Sequence, residues 1–252
     1  MNKTRLIVTF VIAIIIAATA NFYIQHHYAP LENVPAQEFP KTLPDPKITT
    51  PSPTPQTGTS TSKTLLLKVP FTPQAPTGNW DKIHNEDCEE ASAIMANAYF
   101  YGPHDAKLDP SYVESLLTKL TDWEQTTFGY NLDINSQETV LMIEANFSLH
   151  AKIVTDYTES SLKNELSQNH LVLIPENGQL IGNPNYKQPG PPYHMLVIRG
   201  FTASKLITND PGTRNGLNYE YSFTTLFNAN GTWDHATNSV DLNKKNIIVV
   251  TK

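Results

Sequence analysis

Apolar and polar positions divide the chain into stretches of different character. Residues 6–20, LIVTFVIAIIIAATA, form a nearly continuous apolar run behind Lys3 and Arg5. From about Gln25 to Lys63 bulky apolar residues almost vanish, and Pro, Thr, Ser and Gln replace them up to TTPSPTPQTGTSTSK. From Thr64 onward apolar residues recur at helical spacing, and past residue 148 the recurrence shortens to the period of strands.

Within the third stretch, LLLKVPF predicts a short opening strand and TPQAPTGNWDKIHNED a loop. A helix is then expected from Cys88, because Ala91, Ile94, Met95, Ala98 and Tyr99 share one face of a 3.6-residue period. Asp87 stands at its N-cap and Gly102 at its stop. Asp109-Pro110 announces a second helix through YVESLLTKL, and Asn135 with Glu138 has the capping-box spacing for a third through TVLMIEANF. The fourth stretch reads as SLHAKIV, a helix SSLKNELSQN, then LVLIP, HMLVIRGF, KLITND, YEYSF and NIIVV, rich in β-branched and aromatic residues. Helices followed by strands predict an α+β domain, residues 64–252, with N-terminal helices packed on an antiparallel β-sheet.

The leading run has the basic start, apolar centre and small-x-small end (Ala18-Thr19-Ala20) of a signal peptide; counted on through NFYI, it reaches the length of a membrane anchor. Residues 1–24 are therefore expected to be a signal peptide or an N-terminal anchor, with the basic end in the cytoplasm and the remainder outside. Residues 25–63 are expected to be a disordered Pro/Thr/Ser-rich linker, since they offer too little apolar surface to offset chain entropy. A stalk suits an anchored domain better than a released one.

Composition narrows the function. With 39% hydrophobic and 10% aromatic residues in 252, a wholly disordered protein is excluded. The balance of 18 Lys+Arg against 24 Asp+Glu, without a basic block, argues against nucleic acid. One cysteine forms no internal disulfide and excludes zinc ribbons, iron–sulfur clusters and Cys-x-x-Cys redox chemistry. His84 lies four residues before Cys88, but no third or fourth ligand converges in sequence, so neither metal nor cofactor is expected.

Cys88 is notable for its position. A thiol in the first turn of a helix feels unpaired N–H groups that favour thiolate, although Glu86, Asp87, Glu89 and Glu90 crowd the same turn and oppose it. It needs a cationic partner. Among eight histidines, His194 opens the apolar strand HMLVIRGF directly after QPGPPY, where an exposed base belongs. The next strand ends in Asn209-Asp210-Pro211-Gly212, and a hairpin would return Asp210 to orient the ring. Gln74, on the loop feeding the Cys88 helix, is placed to donate to an oxyanion beside the Cys88 N–H. Trp80 and Tyr193 flank these motifs as cleft candidates, Asn209 as a group that polarises the site, and Glu89 and Glu90 either as a solvated helix face or as selectors of a basic substrate group.

The segments VPFTPQAPTGNW, NEDCEEASAIMA, PPYHMLVIRGF and ITNDPGTRNG resemble the C39-like branch of papain-fold cysteine peptidases, including bacterial surface members with a Cys-Glu-Glu-Ala box. The resemblance spans Leu66 to Val250. It implies a papain-like fold with Cys88 as nucleophile, His194 as general base, Asp210 as its orienting residue and Gln74 as oxyanion-hole donor. Better-known C39 peptidases carry Gly-Pro where this chain has Glu89-Glu90, and the exporter-fused members need a transporter of which this chain has no trace, so leader-peptide processing is not carried over.

The expectation is thus an extracytoplasmic, membrane-tethered cysteine peptidase, monomeric, acting on a peptide or protein substrate. Two alternatives remain: a peptidoglycan-directed amide hydrolase built on an Asp-Cys box, which Asp87-Cys88 also fits, and a catalytically inactive papain-like binding domain.

Overall fold

Two apolar stretches without a polar break, Leu171–Glu176 (β3) and His194–Phe201 (β4), are buried along their whole length and form the centre of the sheet. The structure is a computed structural model describing residues 64–102 and 107–252. The signal or anchor segment and the linker expected from the sequence lie outside the described residues.

The chain enters through β1 (Leu65–Leu66), followed by helices α1 (Cys88–Tyr101), α2 (Pro110–Thr127) and α3 (Ser136–Asn146). After β2 (His150–Val154) and α4 (Glu159–Ser167) come β3, β4, β5 (Leu206–Asn209) and β6 (Leu217–Tyr221). Helix α5 (Phe223–Ala229), a hairpin of β7 (Thr232–Asp234) and β8 (Ser239–Asp241), and β9 (Ile247–Thr251) complete the domain. The main sheet is seven-stranded in the order β2-β9-β3-β4-β5-β6, with β1 paired to β4, and its pairings are antiparallel. The α+β expectation therefore holds.

Local sequence explains several boundaries. Asp109 accepts from the Tyr112 N–H ahead of Pro110, and Asn135 with Glu138 closes a complete capping box. The opening strand is shorter than LLLKVPF predicts, because the Leu67 carbonyl accepts from Nε and Nη2 of buried Arg199 (3.0 and 2.7 Å). Strand β1 runs along β4 beyond the last β3 pair, Val172 with Ile198, so Leu65 pairs with Phe201 and Leu66 with Gly200. A Cβ on Gly200 would stand 2.3 Å from the Leu65 carbonyl oxygen, so a side chain there would force the strands apart.

Helix α5 and the β7-β8 hairpin are not anticipated by the hydrophobic period, although Ser222 caps α5 by accepting from the Thr225 N–H at 3.0 Å. Asp87 occupies the N-cap of α1 but makes no side-chain capping bond, because its carboxyl is turned inward and buried.

Helix α1 is the inner helix, packed against α2, α3 and β4. Its expected buried face is buried except for half-exposed Tyr99, and Glu89, Glu90, Ser92, Ala93 and Ala96 are buried as well. The helix is buried on all sides from Cys88 to Ala96, so Glu89 and Glu90 are not on a solvated face, and that expectation is corrected.

Candidate active site

The start of β4 and the end of β5 meet because the hairpin between them sets Val197 opposite Asn209. His194 and Asp210 are thereby brought together, with His194 Nε2 at 2.9 Å from Asp210 Oδ1 and both side chains almost fully buried. Asp210 Oδ1 also accepts from the Gly212 N–H (3.0 Å), while Oδ2 accepts from Tyr186 Oη (2.6 Å), Tyr221 Oη (2.8 Å) and Asn183 Nδ2 (2.8 Å). Burial by itself would raise this carboxyl, but the His194 ring and the two phenols hold it below the ordinary carboxylate value. An ionised carboxylate only accepts, so the network assigns the proton of a neutral ring to Nε2 and leaves Nδ1 as the basic nitrogen. Tyr186 meets the His194 ring edge-on at 5.4 Å, and a Cβ on Gly212 would stand 2.8 Å from His194 Cε1. Sequence reasoning found His194 and Asp210 but not Tyr186, Asn183 or Tyr221. The only available signal was general: a buried carboxylate must collect donors.

Cys88 is the first residue of α1 and is buried. One turn later, Ser92 Oγ donates to the carbonyl of Met195 (3.4 Å), which fixes this end of the helix against the start of β4. The thiol donates to Glu89 Oε2 at 2.9 Å, and no hydrogen bond joins it to His194. The cationic partner expected from sequence is therefore not engaged. Burial first, and then the Glu89 carboxyl, push the thiol well above its ordinary value.

The carboxyls around the thiol are held as neutral acids. Glu89 is raised well above its ordinary value by burial and then by Glu90, and Glu90 by burial and then by Glu124. Both Glu124 oxygens and Glu90 Oε2 are buried without a hydrogen-bond partner, which disfavours charge on either carboxyl. Burial lifts Glu124 to about 8; burial and then Glu90 lift Asp87 to about 9; burial and then Glu86 lift Asp133 to about 7.

Gln74 lies beside the His–Asp turn, its N–H donating to the Pro211 carbonyl at 2.9 Å. Its side-chain amide donates to the His84 carbonyl (2.9 Å), which spends one of the two Nε2 hydrogens and leaves the second for a ligand. His84 is clamped between Asp81 Oδ1 (2.9 Å) and Glu114 Oε1 (2.7 Å). Among the described residues no group of three or more His, Cys, Asp or Glu is arranged to hold a metal ion.

The remaining candidates separate. Trp80 is exposed on a cleft beside the Gln74 loop. Tyr193 is buried against Trp233 with ring centroids 5.7 Å apart, and its unpaired hydroxyl lies within electrostatic reach of Glu89 and Cys88. Asn209 is fully buried: its amide donates to the carbonyls of Val69 (3.3 Å) and Pro70 (3.0 Å), bracing the entering chain. Glu89 and Glu90 lie beneath the site and do not form a cleft wall.

The α+β domain thus sets an inner helix that begins with a thiol against a strand that begins with a carboxylate-bound histidine. The chain belongs to the Peptidase_C39 like family, whose model matches residues 66–240. Among solved structures it is similar to a Bacillus anthracis protein assigned provisionally as a C39-like peptidase, at 13% identity, a TM-score of 0.49, and coverage of 75% of this chain and 98% of that one. No curated protein matches.

Proposed function

We propose that this chain is an extracytoplasmic cysteine peptidase held at the membrane by its first segment, with Cys88, His194 and Asp210 as catalytic triad and Gln74 as oxyanion-hole donor. The observation that carries this reading is the buried His194–Asp210 pair at the head of the strand against which the Cys88 helix packs. Catalysis begins when the Cys88 thiol turns from Glu89 and gives its proton to His194 Nδ1. The sulfur attacks the substrate carbonyl, and the oxyanion accepts from Gln74 Nε2 and the Cys88 N–H. The C–N bond then breaks as the imidazolium protonates the leaving amine, and a water molecule deprotonated by Nδ1 releases the acyl group from sulfur. Hydrolysis of peptide libraries by the purified full-length chain, with loss in Cys88→Ala and His194→Ala variants that keep their circular dichroism, is the expected result. Turnover retained by Cys88→Ala would overturn the reading.

A second reading is favoured by the Cys88–Glu89 hydrogen bond: a peptide-binding domain whose thiol stays protonated and idle. Iodoacetamide separates the two. An engaged Cys–His pair alkylates quickly at neutral pH and loses that speed with His194→Ala, whereas an idle thiol reacts slowly in both.

A further inference from the structure

A cleft of about 810 Å³ opens beside the Gln74 loop, within the volume range of small-ligand sites. Pro73 and Ala75, which bracket Gln74, line it together with Phe71, Pro76 and Trp80. Lys107 and Leu108 join the lining beside Phe71, whose carbonyl accepts the Leu108 N–H at 3.0 Å, and Asp109 and Arg214 line it as well. The lining thus combines apolar side chains with two cationic ones, Lys107 and Arg214, in a chain whose net charge is −6. Its one carboxylate, Asp109, already accepts the Tyr112 N–H at 2.9 Å. Arg214 is exposed and makes no ion pair among the described residues.

The cleft is joined to the catalytic groups by the backbone. The Gln74 N–H donates to Pro211 O at 2.9 Å, which ties the oxyanion loop to the turn that carries Asp210 and, four residues later, Arg214. On the peptidase reading, with the scissile carbon over Cys88 and its oxygen at Gln74, the leaving nitrogen would face His194, whose supporting turn is this one. The cleft itself is not lined by Cys88, Gln74 or His194, but a peptide continuing past that nitrogen along the Gln74–Pro211 junction would reach it.

We infer that this cleft binds the leaving-group side of the substrate, seating an apolar residue against Trp80 and the prolines and pairing a carboxylate with Arg214. The inference rests on the peptidase reading for its orientation. The carboxylate is either an Asp or Glu side chain or the free C-terminus of a short peptide. Guanidinium is suited to both, since its planar fork matches a carboxylate with two parallel hydrogen bonds.

The test uses the full-length Cys88→Ala chain, which binds without turnover, and isothermal titration calorimetry with leaving-side peptides that have a free N-terminus. Ala-Phe-Glu amide and Ala-Phe-Gln free acid are compared with Ala-Phe-Gln amide. At least one of the two carboxylate peptides is expected to bind about tenfold more tightly than the neutral one, and the advantage should disappear in Cys88→Ala/Arg214→Gln. The first peptide reports a side-chain carboxylate and the second a terminal one. Equal affinity for all three peptides, no binding by any, or a preference that survives Arg214→Gln overturns the inference. A preference that vanishes with Arg214, in a chain whose parent hydrolyses no peptide, keeps the carboxylate site and sinks the peptidase reading instead.

Discussion

The Cys88 thiol donates its hydrogen to its sequence neighbour Glu89 at 2.9 Å, while His194, its expected partner, is bound on the opposite ring nitrogen by Asp210. The two groups that the proposed mechanism pairs are thus each held by another partner. A neutral buried carboxyl accepts a thiol hydrogen without creating charge, and turning the thiol toward Nδ1 replaces that bond with an ion pair. The resting geometry therefore stores the thiol in its unreactive form.

Glu89→Gln should lower the thiol pKa, because burial and then Glu89 hold it up: thiol and carboxyl cannot both ionise side by side, and the amide removes the competing acid while keeping an acceptor. A thiol that ionises about one pH unit lower carries about tenfold more thiolate at neutral pH, and so alkylates about tenfold faster. The check is the iodoacetamide rate measured from pH 6 to 10 against the parent; superimposable profiles would show that Glu89 does not control the thiol.

Tyr221→Phe should weaken the hold on the Asp210 carboxylate, since the phenol donates to Oδ2 at 2.8 Å. Against the effect of burial, the His194 ring first and then the two phenols hold Asp210 below its ordinary value, so removing one phenol should move the acid limb of kcat/KM to higher pH. A merely structural role would lower the amount of folded protein without moving that limb.

Gly212→Ala adds a Cβ 2.8 Å from His194 Cε1 and 3.0 Å from Nε2. Backbone conformation is not the obstacle, because Gly212 does not have positive φ. The ring must shift, and kcat should fall by about 10²-fold while circular dichroism stays unchanged, since a displacement near 1 Å is costly to catalysis. Wild-type turnover would mean that the ring has room the geometry denies it.

Stability should decline as pH rises from mildly acidic to alkaline. Asp87, Glu124 and Asp133 are raised by burial to about 9, 8 and 7 from ordinary values of 3.8, 4.5 and 3.8, so the folded chain holds protons that the unfolded chain releases. Each acid therefore favours folding least above its folded value, and Tm should fall steadily between those limits. His84 acts in the same direction: burial lowers its pKa but the bonds to Asp81 and Glu114 more than compensate, so its contribution is lost as pH rises through the elevated value. Asp210 acts oppositely, its contribution being present above its ordinary value and lost as pH falls through its depressed one, so the optimum should lie at about pH 4, near the ordinary carboxylate values. Asp87→Asn should raise Tm far more at pH 9 than at pH 5. A flat thermal profile from pH 5 to 9 in the parent would refute the neutral-acid account.

What the sequence determined by itself was local or periodic. The α1 apolar face, the capping box at Asn135 and Glu138, the bounds of β4, and the order Gln74, Cys88, His194, Asp210 each follow from side chains acting within a few residues or from a hairpin's register. Tertiary structure alone decided how the groups are used. Tyr186, Asn183 and Tyr221 reach Asp210 from 11 to 27 residues away, and no periodicity encodes which hydroxyl will arrive at a buried carboxylate. Glu89 and Glu90 follow the spacing of an exposed helix turn, yet they are buried because α2, α3 and β4 pack around α1 and bury its first turns on every side. Whether a carboxyl is a charged surface group or a neutral acid against the thiol depends on desolvation, and desolvation is fixed by distant segments of the chain.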